Sequence, residues 1–253
     1  MAEQMVDAGQ ERLLESQRFK LVFYGTPMDL VESAGKTIKR LNMIGFRPSN
    51  TSHIAPSVTS LQAINNAVPS EISNSITRLV RRSSLGGLNP GLHAVNNAYM
   101  IEKLGQPRQS FSTDCQPVTN ERLKKYIQTA SVGPFKVTGL KPAVDSLQIV
   151  LNEISIKHPA IYTALGSAGM LCCRYVRGSK TSISNHSWGT AIDLTLNNLL
   201  DKRGDGMIQY GLTLIAPIFN NYGWYWGAAF KTEDAMHFEV SRSLLEKWLP
   251  NLK

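Results

Sequence analysis

Two short stretches in the C-terminal half decide the fold of that half: SNHSWGTAIDL, residues 184–194, and DAMHFE, residues 234–239. In the first stretch, Gly189 predicts a turn after His186, and the apolar residues beyond it predict a strand over residues 190–196. The second stretch predicts another strand, over residues 236–241. If the chain turns at Gly189 and returns as a strand, His186 and Asp193 can face one point.

These stretches hold the residue types of a hydrolytic metal site. Such a zinc site takes three protein ligands from imidazole and carboxylate groups and leaves a fourth position for water. His186, Asp193 and His237 would be the ligands, and Asp234 is the best-placed carboxylate to act as the general base. The spacing alone is only moderately specific, because a histidine in a turn and an aspartate that caps a loop produce the same pattern. Glu233 is the alternative base.

Three further residues are candidates for supporting roles. Glu239 lies two positions after His237 on the predicted strand, so both side chains point to one face. It is predicted to orient a ligand or to bind substrate, not to bind the metal itself. Ser184 either contacts substrate or shapes the turn. Trp226, with the other aromatic residues Trp188, Trp224 and Tyr225, either lines a cleft or packs in the core.

The two stretches together resemble a family of zinc peptidases that act on bacterial cell-wall peptides. Its members are D-alanyl-D-alanine carboxypeptidases, D-Ala-D-Ala dipeptidases of the vancomycin-resistance type and L-alanyl-D-glutamate endolysins of phages, and their pattern is SxHxxGxAxD followed by [ED]xxH. The resemblance implies that His186, Asp193 and His237 bind Zn²⁺ and that Asp234 is the catalytic base. Aspartate at the base position is commoner in the endolysin-like branch.

The resemblance covers roughly residues 115–249 and implies more than the metal ligands. The family uses an arginine upstream of the first motif to stabilise the oxyanion, for which Arg174 fits best and Arg177 is the alternate. The family's fold implies an α+β domain, a small and mainly antiparallel sheet with flanking helices, of the hedgehog/DD-peptidase-like type. We therefore expect residues 111–253 to form the catalytic domain.

The rest of the chain is predicted to be mainly helical at its N-terminal end, with a soft boundary near residue 110 and no recognisable role for residues 1–110. The individual predictions are a strand at 19–25, a helix from 27 to about 45, loops at 48–70 and 83–91, helices at 70–82, 93–105 and 120–130, a longer helix between a turn at Gly139 and Pro159, a strand at 169–176, a helix at 212–223, a strand at 223–227 and a helix at 243–249.

Composition limits the class of protein. Apolar residues make up 42% and charged residues 18% of the sequence, values typical of a globular chain. The net charge of +8 and the isoelectric point near 9.4 favour association with a polyanion. Nucleic acid and the bacterial wall are the two candidate polyanions. The basic residues are scattered, without the Lys/Arg-rich run of a nucleic-acid arm, so the sequence predicts a generally basic surface and does not favour nucleic acid as the partner.

The cysteines and the termini bear on location. Cys115, Cys172 and Cys173 make an odd count, which argues against a disulfide framework, and the adjacent pair is predicted to be buried as apolar filler. The first nineteen residues are too charged for a signal peptide, and no apolar stretch approaches the roughly 20 residues of a membrane span. We expect synthesis in the cytoplasm and action on the wall after release or delivery.

The function expected from these features is zinc-dependent hydrolysis of a peptide bond in peptidoglycan stem peptides, at the L-Ala-D-Glu or the D-Ala-D-Ala bond. The protein would be a phage-type lysin or a delivered effector, with possible phage or injection-particle partners for residues 1–110. The alternative is a non-catalytic structural or wall-binding component of a phage tail or injection particle that retains the zinc fold. The sequence does not distinguish which bond is cut.

Overall fold

The computed structural model describes residues 75–252, which belong to one compact unit. The architecture is α+β, as predicted. In chain order the elements are β1 (Leu79–Arg81), α1 (Asn97–Leu104), α2 (Glu121–Lys124), β2 (Ile127–Ser131), β3 (Lys136–Leu140), α3 (Lys141–Lys157), α4 (Pro159–Ala164), β4 (Leu165–Gly169), β5 (Ala191–Leu196), β6 (Leu199–Leu200), β7 (Met207–Gln209), α5 (Tyr210–Asn221), β8 (Trp224–Trp226), β9 (His237–Val240) and α6 (Arg242–Trp248).

The main sheet has five antiparallel strands and carries the residues of the two motifs. Its order is β4-β5-β9-β8, and the short β6 pairs with the far end of β5. Two smaller antiparallel pairs, β1 with β7 and β2 with β3, lie outside it. Asp193 on β5 stands directly opposite His237 on β9. Two of the predicted metal ligands are therefore cross-strand neighbours.

Helix α3 supplies much of the core. Its predicted apolar face is confirmed, because Leu147, Val150, Leu151 and Ile154 are all fully buried. Proline in its first turn is compatible with a helix start, and Pro159 follows its end at Lys157. Burying each of these side chains contributes about 1.5–3 kcal/mol to the stability of the folded chain.

Several other predicted elements agree with the structure. The strands at 190–196, 223–227 and 236–241 are β5, β8 and β9, and the helices at 93–105, 212–223 and 243–249 are α1, α5 and α6, each within a few residues of the predicted bounds.

Two predicted helices are wrong in part, and both mistakes come from strand pairing. Within the predicted helix at 70–82, Leu79–Arg81 is a strand that pairs with β7. The predicted helix at 120–130 ends at Lys124, and Ile127–Ser131 pairs with β3. Gly139 lies inside β3 and not in a turn. Pairing with another strand, distant in sequence for β1 and next in sequence for β2, outweighs local helix propensity at these places.

The predicted strand at 169–176 is also wrong. The strand in this region is β4, which ends at Gly169, where φ is +120°. Beyond it, Cys173 and Tyr175 make only isolated bridges. Cys115 and Cys172 form a disulfide, which the odd cysteine count did not predict. The prediction of buried apolar filler is wrong for Cys172, which is bridged and only partly buried, whereas Cys173 is free and buried as predicted.

The predictions for residues 1–74 lie outside the described residues, and the boundary near residue 110 stays a prediction. Part of the region before that boundary contacts the motif region. The Asn97 side chain donates to the Ile183 carbonyl at 2.7 Å, and the Trp188 indole donates to the Gly105 carbonyl at 2.8 Å. Among residues 75–252, none of the helices combines the length and the apolar character that crossing a bilayer requires.

Candidate metal centre

His186 reaches the sheet because of a tight turn. It lies in a 3-10 helix, Asn185–Trp188, that ends at Gly189 in the left-handed region, with φ of +67°. A Cβ at this position would lie 2.6 Å from the Leu140 backbone nitrogen, so glycine is required both by conformation and by space. The turn predicted at Gly189 is confirmed, and β5 starts two residues later.

His186, Asp193 and His237 converge on one point. The Nε2 atom of His186 lies 3.1 Å from Asp193 Oδ1 and 3.1 Å from His237 Nδ1, and Asp193 Oδ1 lies 3.0 Å from His237 Nδ1. Among the described residues, this is the one group of three potential ligands close enough to hold a metal ion. All three atoms belong to side chains that are largely shielded from solvent.

The outer hydrogen bonds present the ligand atoms in the state that a metal needs. The Nδ1 atom of His186 lies 3.0 Å from the Met170 carbonyl, which only accepts, so the ring hydrogen is on Nδ1 and Nε2 offers a lone pair. The Nε2 atom of His237 lies 3.1 Å from the Glu239 carboxylate, which leaves Nδ1 free in the same way. Such outer partners fix the tautomer of a ligating histidine.

The electrostatics of the group favour a bound cation. Burial raises the pKa of Asp193, but the charges and hydrogen bonds of His186 and His237 outweigh it and lower the pKa overall. Burial lowers the pKa of His237, but hydrogen bonds to Asp193 and Glu239 reverse this and leave it raised. The carboxylates of Asp193 and Glu239 therefore stabilise positive charge at the buried His237 imidazole.

The donor set and its spacing fit zinc. Zn²⁺ prefers nitrogen and oxygen ligands at about 2.0–2.2 Å, and three ligands of a tetrahedral ion then lie about 3.3 Å from one another. The observed separations of 3.0–3.1 Å are close to that value. Two imidazoles and one carboxylate leave the fourth position of such an ion open, as in hydrolytic zinc sites.

Asp234 lies beside this group in a cavity of about 880 Å³. Its Oδ1 atom is buried and has no hydrogen-bond partner among the described residues. Burial raises the pKa of Asp234, and the charge of Asp193 adds to this, while His237 and Arg203 act in the opposite direction. A carboxylate with a raised pKa and one unpaired oxygen is suited to accept a proton.

The alternative base, Glu233, is directed elsewhere. It is buried, and its Oε1 accepts a hydrogen bond from the Gly206 backbone at 2.8 Å. It does not line the cavity that holds the predicted ligands. Asp234 is therefore the better candidate of the two adjacent acids.

Arg174 and its alternate Arg177 both line the same cavity. The backbone carbonyl of Arg174 accepts a hydrogen bond from the Ser184 amide at 3.0 Å, so the arginine segment is tied to the segment that carries His186. Burial lowers the pKa of Arg174, as does the charge of Arg177, while Asp193 and Asp234 raise it. Arg174 thus lines the same cavity as the candidate ligands and base, and its Nη1 donates to the Tyr175 carbonyl at 3.1 Å.

The three residues predicted to have supporting roles lie in different places. Glu239 is buried and its Oε2 contacts His237, which is the ligand-orienting arrangement predicted for it. Ser184 lines the cavity and also shapes the start of the 3-10 helix. Trp226 is not in the cavity wall but in the core, where its indole donates to the Ala235 carbonyl at 2.7 Å. Of the two roles considered for Trp226, its position matches packing in the core and not lining of the cleft.

Sequence reasoning missed two residues of the site. Asn185 is buried and donates to Glu239 Oε2 at 2.9 Å. Arg203 lines the cavity, and its Nε lies 3.3 Å from Asp234 Oδ2. No spacing signal points to Arg203, because it lies in the loop between β6 and β7, outside both motifs. For Asn185, the one available hint was its position next to His186 in the SNH motif.

Comparison with known proteins agrees with this geometry. A family model described as D-alanyl-D-alanine carboxypeptidase matches residues 177–240, about a quarter of the chain. The matched segment contains the three predicted ligands and Asp234, while Arg174 lies just before it. No curated protein matches the chain. The matched segment, with its two motifs on neighbouring strands, is similar to the D-alanyl-D-alanine carboxypeptidase family of peptidases.

Proposed function

We propose that this protein is a zinc-dependent hydrolase that cuts a peptide bond in peptidoglycan stem peptides. The observation that carries the proposal is the triangle of His186 Nε2, Asp193 Oδ1 and His237 Nδ1, with sides of 3.0–3.1 Å, in the wall of a cavity that also holds Asp234. The similarity of residues 177–240 to the D-alanyl-D-alanine carboxypeptidase family supports the substrate class.

The residues of the chain divide the chemistry among them. A zinc ion held by the three ligands would acidify a water molecule and polarise the scissile carbonyl. Asp234, through its unpaired Oδ1, would accept a proton from the attacking water and return it to the leaving amine. Glu239 and the Met170 carbonyl hold the two imidazoles in their ligating tautomers.

Arg174 is proposed to stabilise the negative charge that develops on the carbonyl oxygen of the substrate. Its guanidinium lies in the cavity wall and within the electrostatic influence of Asp193 and Asp234. A fixed cation in a partly desolvated site stabilises an oxyanion more than the same cation in water. Arg177 remains the alternate for this role.

For the bond, we favour the L-Ala-D-Glu endopeptidase type, with D-Ala-D-Ala carboxypeptidase as the alternative. Aspartate at position 234 supports the endolysin-like branch of the family resemblance. The cavity of about 880 Å³ is near the upper end of ordinary ligand pockets and has room for more than a dipeptide. We further propose that the protein reaches the wall as a phage-type lysin or a delivered effector, with residues 1–110 serving for docking.

Digestion of purified muropeptides tests this function. Mass spectrometry should show fragments from cleavage at L-Ala-D-Glu, lost on chelation and restored by added zinc. Asp234→Ala should lower turnover by about 100- to 10,000-fold while retaining zinc, and Glu121→Ala, an exposed acid on α2, serves as the control. Fragments from D-Ala-D-Ala cleavage would select the alternative bond.

Two results would contradict the proposal. Wild-type turnover in Asp234→Ala would remove Asp234 from the mechanism. Stoichiometric zinc without hydrolysis of any muropeptide would instead favour the non-catalytic component of a phage tail or injection particle.

A further inference from the structure

Arg203 forms an ion pair with the candidate base. Its Nε lies 3.3 Å from Asp234 Oδ2, and both side chains are partly exposed toward the cavity. The other carboxylate oxygen, Oδ1, has no hydrogen-bond partner among residues 75–252. Arg203 is therefore the described side chain that restrains the rotation of the Asp234 carboxylate.

The loop that carries Arg203 is itself tied to the residue before the base. The Glu233 side chain accepts a hydrogen bond from the Gly206 amide at 2.8 Å, and the Glu233 carbonyl accepts one from the Gly204 amide at 3.0 Å. Both glycines have positive φ, so the loop adopts a conformation that brings its amides to Glu233. Glu233 therefore binds the loop through two hydrogen bonds, and Arg203 of the same loop binds Asp234 through the ion pair.

The beginning of the loop is anchored separately. Asp201 is buried, and its Oδ2 accepts a hydrogen bond from the Gln209 amide at 2.6 Å. The segment from Asp201 to Gly206 is therefore attached at its start and at its end. Arg203 therefore lies in a loop whose two ends are both fixed by hydrogen bonds.

We propose that Arg203 and Glu233 are positioning residues for Asp234, holding Oδ2 so that Oδ1 faces the site of proton transfer. The proposal rests on the proposed function, in which Asp234 is the base. A general base must come within about 2.6–3.2 Å of the proton it takes. Misplacement by about 1 Å can lower the rate by about 100-fold, so loss of these contacts should reduce the chemical step.

A direct contact between Arg203 and substrate is the competing explanation, because Arg203 also lines the cavity. The two explanations differ in kinetics. A residue that positions the base lowers kcat and leaves KM nearly unchanged, whereas a residue that contributes uniform substrate binding raises KM with kcat unchanged. They also differ in a double mutant, because a residue that acts only through Asp234 has no effect once Asp234 is absent.

The test compares zinc-loaded Arg203→Ala, Arg203→Lys and Glu233→Ala with the wild type on one muropeptide. Lys202→Ala is the matched control, since it removes an equal charge from an exposed position on the same loop. We expect Arg203→Ala and Glu233→Ala to lower kcat by about 10- to 100-fold with KM changed by less than about threefold. Arg203→Lys should recover part of the loss, and Lys202→Ala should match the wild type.

The double mutant and a structure complete the test. Adding Arg203→Ala to Asp234→Ala should cause no further loss, and crystals of zinc-loaded Arg203→Ala should show the Asp234 carboxylate rotated from its position in Lys202→Ala. An unchanged kcat, a loss confined to KM, an additive double mutant or an unmoved carboxylate would each overturn the inference. An unmoved carboxylate would overturn the inference even if none of the variants turns over substrate. Wild-type turnover in Asp234→Ala would instead contradict the proposed function.

Discussion

Glu239 offers a sharp test of how the metal site is held together. Its Oε2 atom accepts from Asn185 Nδ2 at 2.9 Å and lies 3.1 Å from His237 Nε2. One buried oxygen thus fixes the tautomer of His237 and orients a neighbour of His186. We predict that Glu239→Ala weakens zinc binding although Glu239 does not touch the metal.

The size of the effect follows from these contacts. Loss of an outer carboxylate lowers metal affinity by about 10- to 100-fold, which corresponds to about 1.4–2.8 kcal/mol of binding free energy. Glu239→Ala also leaves the buried Nε2 of His237 without its partner, at about 1–3 kcal/mol of unfolding free energy. Asn185 Nδ2 loses one of its two acceptors and keeps the Val95 carbonyl at 3.2 Å. Glu239→Gln keeps an acceptor at the same place and loses only the charge, so its loss of affinity should be about tenfold or less.

Competition with a chromogenic chelator measures the zinc dissociation constants, and chemical denaturation of the metal-free proteins measures stability. Glu121→Ala, an exposed glutamate of α2, is the control and should bind zinc as the wild type does. If folded Glu239→Ala binds zinc within about twofold of the wild type, the orienting role inferred from the His237 contact is refuted.

Three further predictions concern stability and the site together. Trp226→Phe keeps an aromatic ring in the core but loses the 2.7 Å indole hydrogen bond, so the free energy of unfolding should fall by about 1 kcal/mol in urea denaturation. Gly189→Ala places a Cβ at positive φ and 2.6 Å from the Leu140 nitrogen, and should lower both the melting temperature and zinc content. Burial raises the pKa of Asp201 to about 6, above the value of about 3.9 in the unfolded chain, so its contribution to stability is lost as pH rises between these values. Asp201→Asn, which still accepts from Gln209, should therefore be more stable than the wild type by about 1–2 kcal/mol at pH 8 and by less at pH 5, as measured by calorimetry; equal stability at both values would contradict this.

The sequence alone predicted the elements whose signals are local. The helical spacing of Leu147, Val150, Leu151 and Ile154 predicted the buried face of α3, because a side-chain period of 3.6 is read within a few turns. Gly189 predicted the turn after His186, since a left-handed residue is most easily a glycine. The predicted approach of His186, Asp193 and His237 also appears in the structure, although their role as zinc ligands stays a proposal.

Only the tertiary structure decided the features that depend on contacts with another segment of the chain. Residues 127–131 look helical in isolation, but pairing with 136–140 makes them a strand. The ion pair of Arg203 with Asp234 and the contact of Glu233 with the loop after β6 join residues about thirty positions apart. Local propensity carries no information about such pairs, because their energy arises only when the folded chain brings them within hydrogen-bonding distance.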